Sequence, residues 1–381
     1  MKKQALLFVL LSSLLVTGCN NQQAQSTPKG PEVEDLGEKD CHTELMKQYL
    51  ADPDWESIKT YVPKVNAEDS SYHNDQSQPD AIKLEFAEVE DASKYYVQIA
   101  KNVEFKDAKL VEASEKSYNL YNTEIGTDYY FRAAVSEEAL ANAKIKKFSV
   151  KDLAPRYIHV DGVINFRDCG GWKSSLVENG VVKQGMYYRC AQFNSITAEG
   201  KATMKDLGIK LDIDMRDAPP KTSPASSDDW EIEIMNAAVA SGTENYRWEG
   251  KQNSSTKIAQ TYKKIFEAIA EADEKPIALH CTHGADRTGI VSWFLLGLLG
   301  VSKEDCARDY VMTRFAGERA VLPVDDASGK SEIAKWNEKT EALEGATWAE
   351  KTYKHLNEDF GIEAQTLDKI RELFVPGYRA A

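Results

Sequence analysis

Positive charge is in short supply: 47 Lys and Arg stand against 61 Asp and Glu in 381 residues, a formal net charge of -14 at pH 7. That balance argues against nucleic acid or an anionic membrane surface as partner, since both repel an acidic chain. Cysteine is scarce too, with six in the chain, and no metal-ligand spacing links Cys41, Cys169, Cys190 and Cys306. Zinc modules knit from cysteines are thereby excluded, and neither a metal nor another cofactor is called for. Two of these thiols pairing in an oxidising compartment and all four being buried separately both stay open. Long apolar runs are missing as well. Residues 5–16 are apolar but too short to span a bilayer comfortably, and the next candidate, 290–299, has the length of a core helix. At 381 residues the chain is long enough for more than one domain.

The front of the chain bears on location. A basic Met1-Lys2-Lys3, the apolar stretch and then Val16-Thr17-Gly18-Cys19 resemble a bacterial lipoprotein signal with its lipobox. The resemblance implies cleavage before Cys19, acylation of its sulfur, and an exported protein anchored to a membrane of the cell envelope. Asn20 stands where an aspartate would signal inner-membrane retention. Residues 19–60 begin with Gln, Ser, Pro and Gly and turn acidic, the composition of a flexible tether. Between 61 and 150 the rhythm changes to short strands with partial alternation, at 82–86, 95–99, 117–120 and 129–135, which predicts a small all-β sandwich. The stretches Asp91-Ala92-Ser93-Lys94-Tyr95-Tyr96-Val97 and Ile125-Gly126-Thr127-Asp128-Tyr129-Tyr130-Phe131-Arg132 resemble a fibronectin type III module. Nothing in it is reactive, so it reads as a spacer or docking surface.

The chemistry sits further on, in His280-Cys281-Thr282-His283-Gly284-Ala285-Asp286-Arg287-Thr288-Gly289. This loop leaves the buried-strand pattern of 276–279 and enters the apolar helix pattern of 290–296. A loop so placed turns successive backbone N–H groups inward above a helix N-terminus, which makes an anion cradle from residues 282–288. The same field favours Cys281 as thiolate. Arg287 offers a planar fork for two phosphate oxygens, and Thr288 a hydroxyl toward the sulfur. Gly284 and Gly289 allow close backbone approach. Covalent phosphoryl transfer to sulfur is the simplest chemistry these residues support. His280 reads as a strand-end residue that orients the loop, and His283 as an exposed bystander.

These residues resemble the cysteine-dependent protein tyrosine phosphatase superfamily, whose loop reads His-Cys-x5-Arg-Ser/Thr. Asn165-Phe166-Arg167-Asp168-Cys169-Gly170-Gly171 is similar to the entry motif of its bacterial branch, which includes phosphoinositide-active members. Tyr188-Arg189-Cys190-Ala191-Gln192 and Ile213-Asp214-Met215-Arg216 resemble the strands that follow there. In that branch a lysine usually stands where this chain has Ala285, and the missing charge weakens the case for substrates with several phosphates. Asn165, Arg167 and Asp168 either brace a turn or meet the substrate.

A carboxylic acid should deliver a proton to the departing oxygen. Asp286 and Asp214 are the level candidates, with Asp217 behind them. The chain is therefore expected to carry a signal over 1–18, a tether over 19–60, the sandwich over 61–150 and, over 155–381, an α/β phosphatase domain with a mixed sheet flanked by helices. Residues 257–272 and 364–374 have the helical apolar spacing to cover that sheet. The expected activity is hydrolysis of phosphotyrosine or other phosphomonoesters through a phosphocysteine. Inositol phosphates or phosphoinositides are the alternative substrates, and a catalytically silent phosphate-binding surface protein is the alternative role.

Overall fold

The structure is a computed structural model describing residues 32–60, 75–90, 92–216, 230–237, 256–317, 323–328 and 330–380. Cys19 with its leader, and Asp217, lie outside the described residues. No helix among the described residues is long and apolar enough to cross a membrane.

The first half is built on two sheets. One has the order β1 (Val33–Lys39), β7 (Ile145–Val150), β6 (Thr127–Ala134), β3 (Tyr95–Ala100), β4 (Lys109–Ala113), and the other pairs β2 (Ile82–Glu85) with β5 (Ser117–Leu120). Alternation explains the packing: β2 reads buried, exposed, buried, exposed, and Ile82 and Leu84 meet Val97, Ile99, Phe131 and Phe148 in one apolar cluster. The tether expected over 19–60 is corrected here. Its later part is folded, because Val33–Lys39 extends the sheet parallel to β7. Two helices follow, α1 (Glu44–Ala51) and α2 (Trp55–Thr60), and they turn Met46, Tyr49 and Ile58 into the core of the second half. An apolar stripe that short is hidden among acidic neighbours in the sequence.

The second half is layered around a mixed sheet of order β14 (Glu233–Asn236), β13 (Leu211–Asp214), β15 (Ile277–His280), β12 (Tyr187–Cys190), β9 (Arg167–Asp168), β8 (Arg156–Tyr157). The first four run parallel, β9 runs antiparallel to β12, and β8 runs antiparallel to β9. A small hairpin, β10 (Lys173–Ser174) with β11 (Gly180–Val181), lies outside this sheet. Central parallel strands are covered on both faces, so their side chains divide between two clusters. Tyr187, Ile277 and Leu279 face one, and Tyr188, Cys190 and Ala278 face the other.

One helix, α3 (Ala198–Asp206), brings Met204 to the smaller cluster. The larger is covered by α4 (Lys257–Glu271), α5 (Asp286–Leu298), α6 (Lys303–Met312), α7 (Glu332–Glu341), α8 (Trp348–Lys354) and α9 (Ala364–Phe374). In α4, Thr256 caps the Ala259 amide, and Ile258, Tyr262, Ile265, Phe266 and Ile269 form the inward stripe. Each such buried side chain stabilises the fold by roughly 1.5–3 kcal/mol. Helix α5 is apolar on nearly every side because it lies between the sheet and other helices.

Buried polar contacts tie the two halves. Arg156 donates to the carbonyls of Asn122 and Thr123 at 2.7 and 2.8 Å, while its other edge meets Asp168. Gln184 exchanges two hydrogen bonds with the backbone of Ile125.

Candidate active site

The loop from Cys281 to Ala285 joins β15 to α5 at the carboxyl end of the parallel strands, where functional loops of open α/β sheets gather. Ala285 occupies the N-cap of α5 and makes no side-chain cap. The first-turn amides are thus left to whatever sits above the loop.

Cys281 is 3% exposed. Burial raises the pKa of its thiol, yet the Arg287 guanidinium, the Thr288 hydroxyl and the amides of Thr288 and His283 outweigh that and hold it below the ordinary thiol value. The Thr288 oxygen is buried with no other hydrogen-bond partner, which leaves it to the sulfur. Arg287 is held in place by donating to the Met215 carbonyl at 3.1 Å and to Thr282 Oγ1 at 3.3 Å. One thiolate-stabilising guanidinium, one hydroxyl and inward amides surround one sulfur.

The loop's curvature comes from beneath. Gly284 has φ +66°, and a Cβ there would stand 2.4 Å from the Cys190 carbonyl oxygen and 2.9 Å from Asn165 Nδ2; only glycine fits so close an approach. Asn165 donates to the carbonyls of His283 and Gly284 at 3.1 and 3.3 Å, and Arg189 donates to the latter at 2.8 Å. Arg189 also meets Asp309 at 2.6 Å, and Asp309 accepts from Arg167 at 2.9 Å. Arg167 in turn donates to Asn165 Oδ1. Burial raises the Asp309 pKa, but the two guanidiniums hold it below the usual carboxylate range. From the first half of the chain, fully buried Ser77 accepts the Asn165 amide at 2.9 Å.

His280 is fully buried, with Nδ1 3.0 Å from the Cys281 carbonyl and Nε2 3.1 Å from Asp212 Oδ1. The latter contact is poorly aligned for a hydrogen bond and acts chiefly as charge pairing. Burial disfavours the imidazolium, but Asp212 and then Asp214 overcome it and raise the pKa to about 9.

The expected residues are therefore distributed as follows. The structure brings Cys281, Thr282, His283, Gly284, Ala285, Asp286, Arg287 and Thr288 into one strand-to-helix turn. Asn165 and Arg167 sit beneath the loop as braces. Asp168 turns away, pairing with Arg156 and accepting the amides of Gly170 and Gly185. Asp214 is corrected as a proton donor: it is 2% exposed, and both its oxygens accept from Arg216 at 2.7–3.1 Å. Its geometry anchors Arg216, which also reaches Gln192 and Asn194. Asp286, half-buried in the first turn of α5, is the described carboxylate placed at the loop itself. Sequence reasoning missed Asp212, Asp309 and Ser77, and gave Arg189 no role. The signal for Asp309 was an acid in the apolar stripe of Cys306, Ala307, Tyr310 and Val311.

Residues 158–375 match a family model described as "Tyrosine phosphatase family". A tyrosine-protein phosphatase of Nostoc commune is 29% identical over 143 residues, covering 33% of this chain and 48% of that protein. The chain thus spans about half the length of that curated relative. P. aeruginosa TpbA is similar at 16% identity and TM-score 0.29, covering 44% of this chain and 88% of its own. A TpbA variant solved in complex with pTyr gives 15% and 0.29, covering 45% and 98%. Kinase associated phosphatase with its catalytic site cysteine changed to serine gives 13% and 0.30, covering 46% and 97%.

Proposed function

Because the chain belongs to the tyrosine phosphatase family, with more than half of its length matched, we propose that it hydrolyses phosphotyrosine or related phosphomonoesters through Cys281. The observation that carries this reading is the environment of that thiol, which is buried and nevertheless shifted toward the thiolate. In the first step the thiolate attacks phosphorus in line, a P–S bond forms, and the P–O ester bond breaks. Arg287 and the loop amides bear the charge that spreads over the equatorial oxygens. Asp286 is assigned the proton for the departing alkoxide or phenoxide. Water then attacks the thiophosphate and gives a proton back to the Asp286 carboxylate as the P–S bond breaks, releasing inorganic phosphate and regenerating the thiolate.

The test is phosphate release from a phosphotyrosine peptide, a phosphoserine peptide and an inositol phosphate by wild type and Cys281→Ser. Turnover of the tyrosine substrate and none by the variant is expected. Appreciable hydrolysis by Cys281→Ser removes the covalent mechanism, and turnover of the inositol phosphate alone removes the substrate class.

The rest of the reading concerns place. Lipidation at Cys19 would hold an exported enzyme at a membrane of the cell envelope, with the fibronectin-like module as a spacer. Metabolic labelling with a radioactive fatty acid tests this: label in wild type and none in Cys19→Ala is expected, whereas unlabelled wild-type protein in the soluble fraction rejects it.

A further inference from the structure

Where the first sheet ends and the second half begins, three donors from distant parts of the chain converge. Cys41 and His42 follow β1 at once, and Asp152 lies just past β7 in the segment entering the second half. One donor atom from each, the Cys41 sulfur, a His42 ring nitrogen and an Asp152 carboxylate oxygen, lies within 4.8 Å of the other two. Cys41 and His42 are 4% and 2% exposed.

The surroundings orient these donors. His42 Nε2 is 2.7 Å from the Leu153 carbonyl oxygen, and a carbonyl only accepts, so Nε2 carries the hydrogen and Nδ1 keeps its lone pair. That is how metal-ligating imidazoles are commonly fixed, one nitrogen donating to backbone and the other left to coordinate. The Asp152 carboxylate is fastened through Oδ2, which accepts the amides of Cys41 and His42 at 2.9 and 3.1 Å, while Oδ1 accepts the Leu153 amide at 3.3 Å and keeps a second lone pair. Soft thiolate, imidazole and carboxylate together select a borderline divalent ion of the zinc type over calcium or magnesium. Bond lengths of roughly 2.0–2.3 Å put tetrahedral ligand atoms about 3.5 Å apart, so the donors need to close by about 1 Å.

We propose that Cys41, His42 and Asp152 form a zinc-type divalent metal site that fastens the end of β1 to the segment leading into the catalytic half. As the ion enters, the Cys41 S–H bond breaks, the proton leaves to solvent and the sulfur bonds the metal. Two anionic ligands then balance the dication in a poorly solvated place. The fourth position is left for water, and the site takes no part in the phosphatase step.

The test uses the full chain, stripped with chelator and titrated with Co2+, whose bond to thiolate gives a charge-transfer band in the near ultraviolet. One equivalent of Co2+ should produce the band in wild type and in Cys281→Ser, and none in Cys41→Ser. Zn2+ should abolish the band by displacement and raise the melting temperature of wild type and Cys281→Ser by several degrees. In Asp152→Asn, which keeps an acceptor for both amides, that rise should shrink. Absence of the band, or a band that survives Cys41→Ser and disappears in Cys281→Ser, overturns the proposal. Phosphatase activity measured alongside is independent of either result, so this site and the catalytic reading fail separately.

Discussion

Removing the carboxylate of Asp309 is the sharpest perturbation of the loop that touches neither nucleophile nor substrate. Arg167 and Arg189 are both fully buried, and they meet opposite oxygens of this one side chain at 2.9 and 2.6 Å. Asp309→Ala leaves two guanidiniums without their shared counter-charge, and breaking a buried ion cluster from one side costs about 3–5 kcal/mol. For a folded unit of 150–250 residues, each kcal/mol lowers the melting temperature by roughly 2–4 °C, so a fall of about 6–20 °C is expected. Arg189 also holds the Gly284 carbonyl, so the cradle should shift with it. A displacement on the order of 1 Å can cost about 100-fold in rate. Urea denaturation and phosphate release, measured well below the variant's melting temperature, read the two effects separately. The acid limb gives a further check. Because the native carboxyl is held below its ordinary pKa, its contribution is present above the unfolded value and is lost as pH falls through the native one. Asp309→Ala should therefore lose less stability on acidification than wild type. A variant within about 1 kcal/mol of wild type, with an unchanged rate, refutes the account of how the loop is held.

Arg287→Lys keeps the charge but loses the fork, and kcat should drop by about 100-fold or more; a rate near wild type places Arg287 outside the site. Asp286→Asn should slow tyrosyl or alkyl phosphate esters far more than an aryl ester with an acidic leaving group, and equal losses on both assign Asp286 to structure. His280 has a native pKa raised to about 9, against about 6.5 unfolded. Its contribution should be full below the unfolded value and lost as pH rises through the native one, a trend flattened in His280→Asn. Parallel stability curves for the two proteins between pH 6 and 10 contradict the raised value.

What was readable in the sequence was local. The cradle is contiguous, so its residue types, spacing, preceding strand and following helix all fall within some twenty positions. Helices α4 and α9 were legible because their apolar residues recur with the helical period, and β3 and β6 because theirs alternate. Residues 33–60 misled because their glutamine- and proline-bearing approach has the composition of a tether. Only pairing with β7, more than a hundred residues later, makes Val33–Lys39 a strand.

Asp214 shows the converse error. At the carboxyl end of a strand beside the loop it has the right address for a catalytic acid, and sequence position conveys address without partners. The deciding fact is Arg216 two residues on, whose guanidinium curls back onto both oxygens. Asp309 is the harder case. Its partners lie 142 and 120 positions away, and an acid on a helix usually reads as solvent-facing. What gives it away is the arithmetic of burial: a motif that commits Arg167 and Arg189 to the interior must have anionic groups there to meet them. Asp212, Asp214 and Asp286 are placed by the strands and loop around Cys281, and the first two are occupied by His280 and Arg216. An acidic residue in the apolar stripe of α6, which packs against α5, is the kind of carboxylate that balance demands.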